Sequence, residues 1–294
     1  MHAYHGKDER RIPPLILGHE FSGIILDGKF KNKEVVINPL ISCQECDYCK
    51  NKREHLCPQR TMIGMSAPTK RDGGLAELVS VPEQNIFEVP KGLIMKEAAL
   101  AEPTAVALHA VLLAEANLKK PLSECKILIQ GAGAIGLLCG LVLNKEKNSS
   151  NIIMSDPNKK RLDECEKYLK ASFVSPDDKS IKENHFDLIL ESVGLEITRH
   201  QAINSIAPGG TIVHIGLTQP SGTFNFKKLT IQEITLVGTY CYTNDDFKNS
   251  LVILKDKKLG DLGWIEYRDL KKCSDAFQEI HNGTCVAPKI ILIP

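Results

Sequence analysis

Apolar positions change their period near the middle of the 294-residue chain. From residue 126 onward, short apolar runs bounded by turn residues alternate with longer stretches of helical period. The runs 126–130, 152–155, 171–174, 186–190, 211–215 and 234–237 predict strands. Between them, 135–143 predicts an apolar helix and 159–170 an amphipathic one with Leu162, Cys165 and Leu169 inward. Strands alternating with helices imply α/β class with a doubly wound parallel sheet. The flanks read differently. Residues 15–17 and 24–26 are extended and apolar, 62–67 and Asp72-Gly73-Gly74 are loop material, and 75–81 alternates as a strand. Pro103 suits a first helical position, followed by Val106, Ala110 and Leu113 on one stripe. After it come a helix capped by Asn244, a helix around 276–280 and a last strand at 289–292.

Composition narrows the class only slightly. A net charge of +1 gives no electrostatic reason for nucleic acid or an anionic membrane as a partner. No apolar run approaches the roughly 20 residues of a membrane span, and no signal peptide precedes the first elements. Ten cysteines without such a signal suggest a reducing, cytoplasmic setting in which they act as ligands or core residues.

The chemistry starts at Gly131-Ala132-Gly133-Ala134-Ile135-Gly136, a G-x-G-x-x-G string after a strand and opening a helix. Gly131 makes the tight turn, Gly133 lets a pyrophosphate approach the backbone, and Gly136 lets the helix pack closely on the sheet. The next strand ends on Asp156, 25 residues beyond Gly131 and near the expected spacing of about 20. Its carboxylate can accept from both adenosine ribose hydroxyls. No Arg directly follows it for a 2′-phosphate, so NAD is expected rather than NADP, with Lys159, Lys160 and Arg161 nearby. Ligands of such sheets sit at the carboxyl ends of strands, which singles out Glu191-Ser192-Val193-Gly194, Ile215-Gly216-Leu217 and Thr239-Tyr240.

Metal chemistry has two candidates. Cys43, Cys46, Cys49 and Cys57 stand in a polar loop, a set suited to a closed tetrahedral Zn–S4 site. An iron–sulfur cluster or disulfides are the alternatives. In Gly18-His19-Glu20-Phe21-Ser22-Gly23 one side chain can ligate while the other supports it or exchanges in; alone, the pair reads as an ordinary polar pair. Glu102 precedes a helix start, where a cap is the simple explanation, and His109 on that helix reads as packed rather than ligating.

The order of GHExxG box, CxxCxxCx7C lobe, Glu102-Pro103 and GxGxxG resembles the zinc-dependent medium-chain dehydrogenases, above all their polyol branch, which includes sorbitol and threonine dehydrogenases. The resemblance spans essentially the whole chain. It implies a GroES-like, β-rich catalytic domain of residues 1–105 and 243–294 around a Rossmann domain of residues 106–242. It further implies a structural zinc on the four cysteines, and a catalytic zinc on His19, Glu20 and Glu102. NAD is expected on Gly131, Gly133, Ile135, Gly136, Asp156, Arg161, Val193, Gly194, Ile215, Gly216, Leu217, Thr239 and Tyr240. The substrate would be a secondary alcohol (a polyol, sugar or sugar derivative), with His2 handing its proton to solvent, in a homodimer or homotetramer paired through strand 234–237. Two departures stand out. The family's first zinc ligand, in a Cys-Gly-x-Asp-x-His box, would lie before Met1, so the sequence is expected to be a fragment, or else a shortened protein with a crippled metal site. Cys241 stands where sorbitol dehydrogenases carry an Arg, which removes one polyol contact. A non-catalytic NAD-binding relative is the competing expectation; a zinc-free quinone reductase would need neither the cysteines nor His19-Glu20.

Overall fold

The computed structural model describes Tyr4, Gly6 and residues 8–294, so His2 lies outside the described residues. The N-terminal part holds a small antiparallel sheet of β1 (Ser22–Ile24), β2 (Glu34–Ile37) and β5 (Ile86–Glu88), in the order β1-β2-β5. Within it, β3 (Leu40–Ile41) pairs antiparallel with β4 (Thr61–Met62), and α1 (Asp47–Lys50) sits in the cysteine loop between them. The helices α2 (Met95–Ala98) and α3 (Ala101–Asn117) lead into the central unit.

That unit is one six-stranded parallel sheet. Its strands are β6 (Ile127–Gln130), β7 (Ile152–Ser155), β8 (Ser172–Val174), β9 (Phe186–Glu191), β10 (Ile206–His214) and β11 (Thr235–Gly238), ordered β11-β10-β9-β6-β7-β8. Counted from β6 this is the 3-2-1-4-5-6 order of a dinucleotide-binding sheet. The crossovers carry α4 (Ala134–Lys145), α5 (Lys159–Glu166), α6 (Glu196–Ser205) and α7 (Phe226–Ile231). Both faces are covered. Ile127 and Ile129 join the cluster with α3 and α4, while Leu128, between them, joins Phe186, Ile189, Ile203 and Ile212 on the other face. The period of two therefore carries apolar residues on both faces, which is why these strands read as unbroken hydrophobic runs.

The chain then returns through α8 (Asn244–Lys255), β12 (Ile265–Asp269), α9 (Cys273–His281) and β13 (Lys289–Ile293), with β12 and β13 parallel. Among the described residues no helix is long and apolar enough to cross a membrane.

Three expectations need correction. Residues 75–81 form no strand; Leu78 is 71% exposed and the stretch lines an open groove. Alternation makes a strand only where a neighbouring edge supplies hydrogen bonds; the Leu75 N–H donates to the Leu17 carbonyl at 2.8 Å, and among the described residues 76–81 find no backbone partner. The helix begun at Lys159 stops at Glu166, although Leu169 beyond it still packs in the core. The cap of α8 is Thr243, not Asn244: the Asp246 N–H donates to the Thr243 hydroxyl at 3.1 Å, and the Thr243 N–H donates back to Asp246 Oδ2 at 2.9 Å. The Asn244 side chain instead meets Asn38 and Glu54 of the N-terminal part. Strand β11 lies at a sheet edge, as expected.

Candidate active site and metal centres

The carboxyl ends of the parallel strands bring the predicted dinucleotide residues together. Gly131 has φ +101, and a Cβ there would lie 2.8 Å from Ser192 Oγ and 2.9 Å from Val193 Cγ2. A Cβ on Gly136 would fall 1.9 Å from the Gly131 carbonyl oxygen. Both glycines are thus demanded by the protein itself. Gly133 differs: a Cβ there would meet no heavy atom within 4 Å. Nothing in the fold requires its bare backbone, so the open space at the start of α4 fits a phosphate group approaching the helix N-terminus. Ile135 follows in the first turn of α4, packed against the main core.

Asp156 is buried at the end of β7, its Oδ2 accepting the Ala132 N–H at 2.8 Å and its Oδ1 the Asn158 N–H at 2.8 Å. Each oxygen keeps a lone pair for a ribose hydroxyl. The guanidinium of Arg161 donates from Nε to the Cys285 carbonyl at 3.5 Å, tying α5 to the segment before β13. Val193 and Gly194 follow β9, and Ile215, Gly216 and Leu217 follow β10. The two turns touch so closely that a Cβ on Gly194 would lie 2.3 Å from the Gly216 carbonyl carbon. Beyond β11, Thr239 Oγ1 is buried without a hydrogen-bond partner among the described residues. The ring of Tyr240 lies beneath the Arg60 guanidinium, 4.8 Å from its centroid.

His19, Glu20 and Glu102 meet although 83 residues separate the box from Glu102; their ligand atoms all lie within 4.8 Å of one another. His19 Nε2 is 4.0 Å from Glu20 Oε1. Burial, with the charges of Arg11, Lys289 and Arg10, pulls the His19 pKa down to about 3 and leaves the ring neutral, as a ligand must be. Glu102 is buried at the start of α3; burial pushes its pKa up to about 8 against the opposing hydrogen bond from Tyr242. Glu20 forms an ion pair with Lys289 of β13. That lysine carried no signal in the sequence, because only the fold brings the last strand beside the GHE box. His109 is packed, as expected, with Nδ1 2.8 Å from Asp246 Oδ2.

The four lobe cysteines also form one cluster. Their sulfurs stand 3.5 Å (Cys46–Cys49 and Cys43–Cys57) and 3.9 Å (Cys43–Cys49) apart. Zn–S bonds of about 2.3 Å put tetrahedral sulfurs about 3.8 Å apart, so the set fits a zinc ion and is far too open for disulfides. The backbone N–H groups of Glu45 and Cys46 point at Cys43 Sγ and draw its pKa down to about 7, whereas burial pushes Cys49 up to about 12.

Comparison with known proteins agrees with this geometry. Residues 1–91 match the alcohol dehydrogenase GroES-like domain, and residues 134–256 match the zinc-binding dehydrogenase domain. The chain is 30% identical to the "Probable D-xylulose reductase A" of Neosartorya fischeri over 92% of its own length and 78% of that protein's. Among solved structures, galactitol-1-phosphate dehydrogenase from Escherichia coli superposes with a TM-score of 0.81 at 25% identity, covering 98% of this chain and 87% of that one. Alcohol dehydrogenase TADH from Thermus sp. ATN1 reaches a TM-score of 0.87 at 22% identity, over 100% and 88% of the two chains, a likeness of fold. The chain belongs to the zinc-dependent medium-chain alcohol and polyol dehydrogenase family.

Proposed function

We propose that the protein transfers hydride between a secondary alcohol, of the polyol, sugar or sugar-derivative class, and NAD, at a zinc centre on His19, Glu20 and Glu102. The observation that carries this is the occurrence, in one fold, of a three-donor cluster and an open dinucleotide cradle at Gly133. Three protein donors leave a position free for the substrate oxygen. The names of the xylulose reductase and galactitol-1-phosphate dehydrogenase relatives support a polyol-like substrate. When bound, zinc supplies Lewis-acid stabilisation of the substrate oxygen and NAD takes up the hydride.

The chain's own residues do the rest. His19 presents a neutral ring. Glu102, whose burial favours the protonated form over the opposing Tyr242 hydrogen bond and Arg11 charge, gains as an anion from a further cation beside it, which primes the cluster for a divalent ion. Lys289 holds one oxygen of Glu20 and leaves the other turned to His19. Gly131, Gly133, Ile135 and Gly136 receive the pyrophosphate, Asp156 and Arg161 the adenosine ribose. Val193, Gly194, Ile215, Gly216, Leu217, Thr239 and Tyr240 receive the nicotinamide half. The negative charge of Asp156 opposes a 2′-phosphate and supports NAD over NADP. His2 is the proposed exit for the released proton, and Cys43, Cys46, Cys49 and Cys57 hold the second, structural zinc. Residues 1–105 with 243–294 form the catalytic domain and 106–242 the dinucleotide domain. The exposed edge of β11, with Leu236 43% exposed, supports pairing with a second copy, and ten free cysteines support a cytoplasmic setting.

The test is turnover of a panel of sugar alcohols, sugar phosphates, sugar acids and simple secondary alcohols with NAD and NADP, on zinc-replete protein. Turnover of at least one polyol-like compound that is lost in His19→Ala is expected. A zinc-loaded protein that binds NADH yet oxidises none of the panel would refute the assignment.

A further inference from the structure

Glu191 ends β9 and is completely buried. Its Oε1 accepts hydrogen bonds from the Val193 N–H at 2.9 Å and the Gly194 N–H at 2.7 Å, and lies 2.9 Å from the Thr198 hydroxyl, whose one proton is shared with the Leu195 carbonyl, also at 2.9 Å. Its backbone carbonyl accepts two more, from the N–H groups of Ile215 at 2.8 Å and Gly216 at 3.0 Å. One residue therefore fixes both turns that border the nicotinamide half of the cleft. Its other oxygen has a single neighbour. Oε2 lies 3.2 Å from Nε2 of His214, an ion-pair contact, and neither atom has an aligned hydrogen-bond partner. His214 ends β10 and is directly opposite Glu191 in the parallel ladder, so the fold, not local sequence, creates the pair.

Oε1 is held by the donors of the turn, while Oε2 is buried with the His214 ring as its polar contact among the described residues. A group able to donate at that position offsets the cost of burying the oxygen. We propose that Glu191 and His214 act together as positioning residues for the nicotinamide half of the dinucleotide. Glu191 clamps the Val193-Gly194 turn through Oε1, and the His214 ring, 3.2 Å from Oε2, braces the other side of the same side chain. The proposal rests on the dinucleotide function of this site.

Two probes separate positioning from general stability: NADH, which spans the whole cleft, and ADP-ribose, which lacks the nicotinamide. Replacing the quarter-exposed His214 by leucine removes the polar group beside Oε2 among the described residues while leaving a side chain of similar size. His214→Leu is expected to weaken NADH by about tenfold or more, the scale of leaving a buried acceptor without a polar neighbour, with ADP-ribose affinity unchanged. His214→Gln, whose amide can donate to Oε2, is expected to recover NADH binding. Equal losses for both probes, no loss for either, or no recovery by glutamine would overturn the proposal. Wild-type protein that binds neither probe would overturn instead the dinucleotide assignment beneath it. Glu191→Gln keeps an oxygen for the same donors and is expected to retain both affinities, whereas Glu191→Leu, which cannot accept, is expected to lower NADH affinity selectively; the opposite pattern would overturn the clamp.

Discussion

Two alanine substitutions three residues apart in the glycine turn should behave in opposite ways. At Gly136, a Cβ would lie 1.9 Å from the Gly131 carbonyl oxygen and 3.2 Å from Ser192 Oγ. Restoring ordinary contact requires the start of α4 to withdraw from the turn by about 1.3 Å, and such overpacking costs about 1–3 kcal/mol. At Gly133, φ is −84° and the added methyl enters open space. There the gain from restricting the unfolded chain, about 0.4–1 kcal/mol, is partly offset by the weaker capping of alanine, so stability should stay within about 0.5 kcal/mol of wild type. Binding should separate them differently. The Gly133 methyl occupies the space assigned to the pyrophosphate, and a loss of about 10–100-fold in NADH affinity is expected, equivalent to about 1.4–2.7 kcal/mol. Thermal unfolding together with NADH fluorescence titration reads both quantities on the same samples. If Gly133→Ala bound NADH as tightly as wild type, the phosphates would not lie over that backbone, and the reasoning from the empty cradle would fail.

Other outcomes follow from the metal centres and buried acids. Cys49→Ser should eliminate the lobe zinc and lower the melting temperature, because ligand binding there is part of folding; metal analysis alongside calorimetry checks it. Under graded chelation the His19–Glu20–Glu102 metal should leave before the lobe zinc, since Glu20 is already shared with Lys289 while four thiols converge without a competitor; loss in the reverse order would contradict the assignment. Asp156→Ala should cost stability, by leaving the Ala132 and Asn158 N–H groups unpaired at about 1–3 kcal/mol together, and should shift the NAD-to-NADP preference toward NADP in paired KM measurements. Burial works to raise Asp246, but its bonds from His109 and Thr243 outweigh it and hold the folded pKa below the ordinary 3.8. Its contribution is therefore fully present above that value and lost as pH falls through the lower folded value. Asp246→Asn should flatten the acid limb of a stability–pH curve; an unchanged limb would show that the pairing contributes little.

Sequence by itself determined the sheet and most of the chemistry. Continuous apolar runs set between helical periods require strands covered on both faces, and G-x-G-x-x-G and Cys43–Cys57 are local strings whose spacing points to a dinucleotide and a metal, whereas His19-Glu20 reads as an ordinary pair until Glu102 stands beside it. Tertiary structure decided what depends on contacts between distant segments. Whether residues 75–81 form a strand depended on an edge that the fold does not provide. Thr243 rather than Asn244 caps α8 because Asn244 is occupied by Asn38 and Glu54, more than 180 residues earlier. Lys289 at Glu20 and His214 at Glu191 left no mark in either local sequence. A side chain's period reports which face it occupies, but the partner waiting on that face is set by strand order and register, which only the folded chain supplies.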